Sequence, residues 1–140
     1  MNEIEMDKAA TRKVEKEGAA VAWELMGEDY GNPSSVHAKG LAAQLRMDQA
    51  RQQLAEAMGC GQEELVFTSG GTEANNLAIL GGAEALSRRG KTLVAMAYEH
   101  SSVLEPLRQL ERTGHTLRLV DPEPDGHVNV DRLVEAVDED

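Results

Sequence analysis

An α/β fold built on a mostly parallel sheet is the class this sequence predicts, on three observations. From Leu65 onward, short apolar runs alternate with amphipathic helical stretches, the pattern of βαβ units joined by right-handed crossovers. Aromatic residues are only 3% of a chain that is 41% hydrophobic. The core must therefore be aliphatic, which helices laid on a sheet supply more readily than an aromatic-rich sandwich does. With 140 residues, the chain can bury roughly two-thirds of its unfolded surface, enough for one ordinary domain.

The elements follow in order. Ala19, Ala22, Trp23 and Met26 recur at helical spacing over 15–26, until the Gly-Asn-Pro-Ser cluster of 31–35 breaks the pattern into a loop. Leu41, Leu45, Leu54 and Met58 form one stripe of a long helix over 40–58, which Gly59 to Gly61 ends. Leu65–Thr68 reads as a short buried strand, 72–90 as a helix, and Thr92–Ala97 as a second buried strand. Ser101 and Ser102 can cap a helix running to about Thr113, with Pro106 near enough to its first turn to be tolerated. Thr116–Val120 makes a third strand, Pro122 to Gly126 turns the chain, and Val130–Val137 begins one more helix. No internal repeat or low-complexity tract interrupts this order.

Charge and cysteine content narrow the function. Twenty-five acidic against 14 basic side chains give a formal charge of −11, which repels nucleic-acid phosphates and anionic membrane surfaces, so neither is expected as a partner. Cys60 is the single cysteine, which rules out an internal disulfide framework, and no secretory signal opens the chain. The longest apolar runs fall far short of the ~18 residues of a membrane span. A soluble protein of a reducing, cytoplasmic compartment is expected.

Ligands of parallel α/β sheets bind beyond the carboxyl ends of the strands, which directs attention to two turns. The first is FTSGGTEANN, residues 67–76. Gly70 and Gly71 remove Cβ atoms where a ligand must approach the backbone. Thr72 offers a hydroxyl and an amide at a helix start whose dipole favours an anion. The same residues also suit a plain helix cap, with Ser69 or Thr72 satisfying the first amides. Neither a Gly-Lys-Ser/Thr P-loop nor a Gly-x-Gly-x-x-Gly dinucleotide fingerprint is present.

The second turn, AYEHSSVLEP over 97–106, places His100 just past a strand. There its ring can lie against a planar cofactor, act as an acid or base, or simply be solvated. A third stretch, GEDYGNPSSVHAKG over 27–40, is a polar loop leading into the long helix. Asn32 and Ser34 make it a candidate active-site loop, and an ordinary Pro-Ser turn is the plainer alternative.

Together the stretches YGNPSSVHAKG, ELVFTSGGTEANNLAI and YEHSSVLEPLRQLERTGHTLRLV resemble successive segments of the cysteine desulfurases, in the group carrying the Gly-Asn-Pro-Ser-Ser motif. IEMDKAATRKV, residues 4–14, is similar to that family's opening strand and Asp-Asn-Ala-Ala-Thr-Thr segment, departing from it at Lys8 and Arg12. DGHVNVDRLVEAV, residues 125–137, is similar to the piece before the central cofactor strands.

The resemblance implies a partial, truncated three-layer large domain of the aspartate-aminotransferase-like fold, binding pyridoxal 5′-phosphate. By role it separates residues 1–39, an N-terminal helix and active-site loop segment, from 40–140, an incomplete cofactor-binding domain. It implies that Gly71 and Thr72 bind the cofactor phosphate and that His100 stacks on the pyridine ring. It implies L-cysteine as substrate, alanine and an enzyme persulfide as products, and a homodimer or a complementing carboxyl-terminal chain. A sulfur-accepting iron–sulfur scaffold protein is an implied partner. None of Lys8, Lys13, Lys16, Lys39 and Lys91 lies in a segment like that of the cofactor lysine, and Cys60 does not match the catalytic cysteine. No catalytic residue is therefore assigned in this chain, which is expected to be inactive alone, and Cys60 is read as a structural thiol. A related class V pyridoxal-phosphate lyase or aminotransferase, and a non-catalytic interaction module, are the alternatives.

Overall fold

The structure, a computed structural model, describes residues 13–137. The stretch resembling the family's opening strand therefore lies outside the described residues except for Lys13 and Val14. The chain forms two compact units, one ending at Val66 and the other beginning at Phe67.

In the first unit, α1 (Lys16–Gly27) and α2 (Ala38–Met58) form where apolar spacing predicts them. The stripe that predicts α1 stays on the surface, however: Trp23 is 79% and Met26 78% exposed. Spacing reports that a helix has an apolar face, not what covers that face. The Arg46 guanidinium of α2 donates to Glu24 at 2.9 Å and also to Asp29, tying α2 to the end of α1. The Glu24 bond and the two nearby carboxylates raise the pKa of Arg46 above its ordinary value. Gly59 ends α2 in the left-handed region (φ 70°), which glycine enters without a Cβ penalty, and the Cys60 N–H then closes back on the Ala55 carbonyl at 3.0 Å.

A 3-10 turn, Gln62–Glu64, follows. Leu65–Thr68, expected as a strand, is not one. Leu65 has extended dihedrals (φ −98°, ψ 127°), yet the segment joins no ladder among the described residues. The Leu65 carbonyl instead accepts from the Arg51 side chain. An apolar, β-branched run favours an extended backbone, whereas a strand also needs a neighbour to exchange hydrogen bonds with.

The second unit contains α3 (Gly71–Ala85), β1 (Thr92–Met96), α4 (Ser101–Arg112), β2 (Thr116–Val120) and α5 (Val130–Glu135). The two strands pair in parallel, from Thr92 opposite Thr116 to Met96 opposite Val120, and α4 is the crossover between them. The α/β class with parallel pairing is thus present. The core is aliphatic: Met96, Leu107 and Val120 are buried, with Pro106 and Ser102 beside Leu107 on the buried side of α4. Pro106 is the sixth residue of α4, past the first turn, and the helix continues through it.

The expected helix over 72–90 stops at Ala85. Beyond it the chain tightens into short turns, Ser87 N–H to Glu84 O at 3.2 Å and Arg89 N–H to Leu86 O at 2.7 Å. Asn129 caps α5 by accepting from the Arg132 N–H at 3.2 Å, and Arg118 of β2 donates to the Ala136 carbonyl at 3.0 Å, anchoring that helix to the sheet.

Candidate active site

The turn leading into α3 is built by its own side chains. The Thr68 hydroxyl donates to the Gly70 carbonyl at 3.2 Å, and Gly70 is extended before Gly71 opens the helix. Glu73 accepts from both the hydroxyl and the backbone N–H of Ser69, each at 2.6 Å. These two bonds, the hydroxyl's first, hold the Glu73 carboxyl below its ordinary pKa, with burial opposing them. They also fold the carboxylate back onto Ser69. The amides that open an α-helix have no acceptor within it, so the start of α3 presents N–H donors together with the Thr72 hydroxyl.

His100 occupies the N-cap position of α4, and its Nδ1 accepts from the Ser102 N–H at 3.1 Å. The same nitrogen lies 2.8 Å from the Ser102 hydroxyl, which in turn accepts from the Asn75 amide at 2.9 Å. The amino-terminal ends of α3 and α4 are joined through this contact. A cavity of about 330 Å³ lies beside it, lined by Thr72 and Asn76 of α3 and by Ser101, Ser102, Glu105 and Arg112 of α4, among others. Gly71, Thr72 and His100 are therefore on the facing ends of two packed helices. Sequence reasoning missed the linking pair. Ser102 reads only as a cap residue, and Asn75 carries no signal that separates it from Asn76.

Asn32 and Ser34 lie in the first unit, between α1 and α2. The Asn32 side chain accepts from the Ser34 N–H at 2.9 Å and its carbonyl from the Ser35 N–H at 2.9 Å, an Asx-type turn. That turn closes tightly on the start of α2. A Cβ at Gly40 would fall 2.1 Å from the Ser35 carbonyl oxygen, so only glycine fits. The His37 ring caps the helix by accepting from the Gly40 N–H at 3.4 Å, and the Lys39 ammonium sits 3.7 Å from the Tyr30 ring centroid.

Cys60 is half-buried in the turn after α2. Among the described residues no group of three or more His, Cys, Asp or Glu side chains is placed to hold a metal ion. No helix among them is long and apolar enough to cross a membrane.

With this geometry established, comparison with known proteins places the chain. Residues 4–140 match the aminotransferase class-V family. The cysteine desulfurase IscS of Dictyoglomus turgidum is 39% identical over 138 residues, a match covering 99% of this chain and 35% of that protein. Among solved structures, a NifS-like protein superposes with a TM-score of 0.85 at 34% identity, covering 94% of this chain and 36% of that one. SspA, solved in complex with cysteine, superposes with a TM-score of 0.82 at 30% identity, covering 93% of this chain and 38% of that one. The chain spans about a third of the length of each of these proteins. A class-V match over nearly every residue, carried on a parallel α/β unit with its helix starts facing a shared cavity, makes this chain a member of the aminotransferase class-V family, in the part shared with the cysteine desulfurases.

Proposed function

We propose that this chain forms the cofactor-phosphate portion of a cysteine desulfurase that uses pyridoxal 5′-phosphate. The observation that carries the reading is the coupling of two helix starts: Gly71 and Thr72 on α3, and His100 on α4, held together by the Asn75–Ser102 hydrogen bond of 2.9 Å.

The residues present fit the group. A phosphate dianion suits the free amides of a helix N-terminus, and a Cβ at Gly70 or Gly71 would meet nothing within 4 Å, so the backbone there is open to close approach. The one nearby carboxylate on α3's first turn, Glu73, is turned onto Ser69. In this reading Gly71 and Thr72 hold the phosphate and His100 covers the ring. When bound, pyridoxal phosphate supplies the electron sink for chemistry at an amino acid's α-carbon. This chain's own residues bind and orient; Asn32 and Ser34 are proposed as an active-site loop on the family resemblance alone.

The substrate proposed is L-cysteine, a choice supported by the cysteine complex of the SspA relative. In the net reaction the Cβ–Sγ bond of cysteine is broken, the sulfur adds to an enzyme thiol as a persulfide, and alanine leaves. The cofactor lysine and the accepting cysteine are assigned to no residue of this chain, so activity is expected from a homodimer of the complete enzyme or from a complementing carboxyl-terminal chain. Delivery of the sulfur to an iron–sulfur scaffold protein in the cytoplasm completes the proposal.

The test is a titration with pyridoxal phosphate followed by visible absorbance, comparing the unsubstituted protein with Thr72→Val. Saturable binding that weakens in the variant supports the reading. Equal affinity in the two proteins removes Thr72 from the site.

A further inference from the structure

The contacts around His100 do more than cap a helix. Its Nδ1 accepts the Ser102 backbone N–H at 3.1 Å, which requires a lone pair on that nitrogen. The neutral ring therefore carries its proton on Nε2. The hydrogen in the 2.8 Å contact between Nδ1 and the Ser102 hydroxyl must then be the serine's own. With its proton committed, that hydroxyl has lone pairs left to accept the Asn75 amide at 2.9 Å. Three groups thus form a one-way chain of donors, from the Asn75 amide to the Ser102 hydroxyl to His100 Nδ1. Ser102 is 8% exposed, so water competes poorly for its hydroxyl. A cap needs only the backbone bond; the serine hydroxyl and the asparagine from a different helix go beyond it.

We propose that Ser102, oriented by Asn75, is a positioning residue that fixes His100 in the Nε2-protonated tautomer and aims its ring. This deepens the functional reading above and rests on it for the ring's role toward the cofactor. Neither Asn75 nor Ser102 touches the cofactor in this proposal. Both act through the imidazole, Asn75 by setting the serine rotor and Ser102 by occupying Nδ1. The consequence is a preset Nε2–H donor at the start of α4, in place of a ring free to flip and exchange tautomers.

The experiment uses protein labelled with nitrogen-15 in its four histidines and reads imidazole nitrogen shifts above neutral pH without cofactor, with His100→Gln to assign the signal. The unsubstituted protein is expected to show His100 with a lone-pair Nδ1 and a protonated Nε2. Ser102→Ala keeps the backbone N–H bond to Nδ1 and loses the hydroxyl's, so both shifts should move part of the way toward the tautomer average, and Ser102→Thr, which keeps the hydroxyl, should restore them. Asn75→Ala leaves α4 intact and should give a smaller shift in the same direction, so the test survives if Ser102→Ala does not fold. A protonated Nδ1 in the unsubstituted protein, or shifts unchanged in Asn75→Ala and in a folded Ser102→Ala, overturns the proposal.

Pyridoxal phosphate is then added as the probe. Ser102→Ala should bind it roughly three- to tenfold more weakly, the effect of losing one orienting hydrogen bond, with recovery in Ser102→Thr. If the tautomer responds as expected but no protein binds the probe, the relay stands and the cofactor reading fails. If the probe binds and the tautomer ignores both substitutions, the relay fails and the cofactor reading stands.

Discussion

Glu73 reaches back toward the turn before its own helix and accepts from both the hydroxyl and the N–H of Ser69, each at 2.6 Å. The contact stabilises the ionised carboxylate, the Ser69 hydroxyl contributing most, so the folded pKa lies below the ordinary glutamate value. A carboxylate depressed in this way contributes stability that is fully present above the unfolded glutamate pKa and is lost as pH falls through the lower folded pKa. At neutral pH, Glu73→Gln should therefore be less stable than the unsubstituted protein, and the gap should shrink as pH drops through that window. Urea melts at neutral and acid pH would measure it. A gap that stays constant or widens on acidification would contradict the assignment.

Thr72→Val removes a hydroxyl from the start of α3 without changing side-chain shape greatly. If that hydroxyl donates to a bound phosphate, affinity for pyridoxal phosphate should fall by about 1–3 kcal/mol, roughly five- to 150-fold, while Thr72→Ser stays near the unsubstituted value. Equilibrium titration of the three proteins separates a polar contact from a steric one.

In the other unit, Gly40→Ala puts a methyl group into space already held by the Ser35 carbonyl. Backbone, not a flexible side chain, must give way, so a loss of about 1–3 kcal/mol is expected. Chemical denaturation reads the loss, and it should appear as weakened protection of the first turn of α2 in hydrogen exchange. A neutral substitution would mean that the 32–35 turn is not closed on the helix in solution.

Borohydride trapping addresses the chemistry assigned to no residue here. On a polypeptide of residues 1–140 saturated with pyridoxal phosphate, none of Lys8, Lys13, Lys16, Lys39 and Lys91 should be labelled stoichiometrically. Peptide mapping that finds one of them fully modified would refute the proposal that the cofactor lysine lies in none of these segments.

Legibility in the sequence varied with how local the determining physics is. The sequence marks β2 at its observed ends, Thr116 and Val120, because a glycine turn precedes it and a proline-rich turn follows. The end of α2 was legible because glycine is the residue that enters the left-handed region without cost. Leu65–Thr68 reads as a strand and forms none, because extended preference is local and strand pairing is not. The polar groups of the candidate site were legible as types at helix starts, Thr72 after two glycines and His100 before two serines. The Asn75–Ser102 bond was not, since it depends on how α3 is rotated against α4, which no short motif encodes. Trp23 and Met26 show the same limit, forming an apolar face whose spacing names the helix and not its surroundings.

The crossover helix α4 carries the imidazole at one end and the buried Leu107 seven residues along, about 10 Å at the rise of an α-helix. Because a single rigid rod connects the two, it behaves as a lever. Loosening the aliphatic interior around Leu107 will displace the ring as surely as editing the ring's immediate neighbours. A mutational screen for lost ligand capture should therefore recover interior aliphatic positions alongside polar ones, and scoring each hit for melting behaviour would sort the two groups.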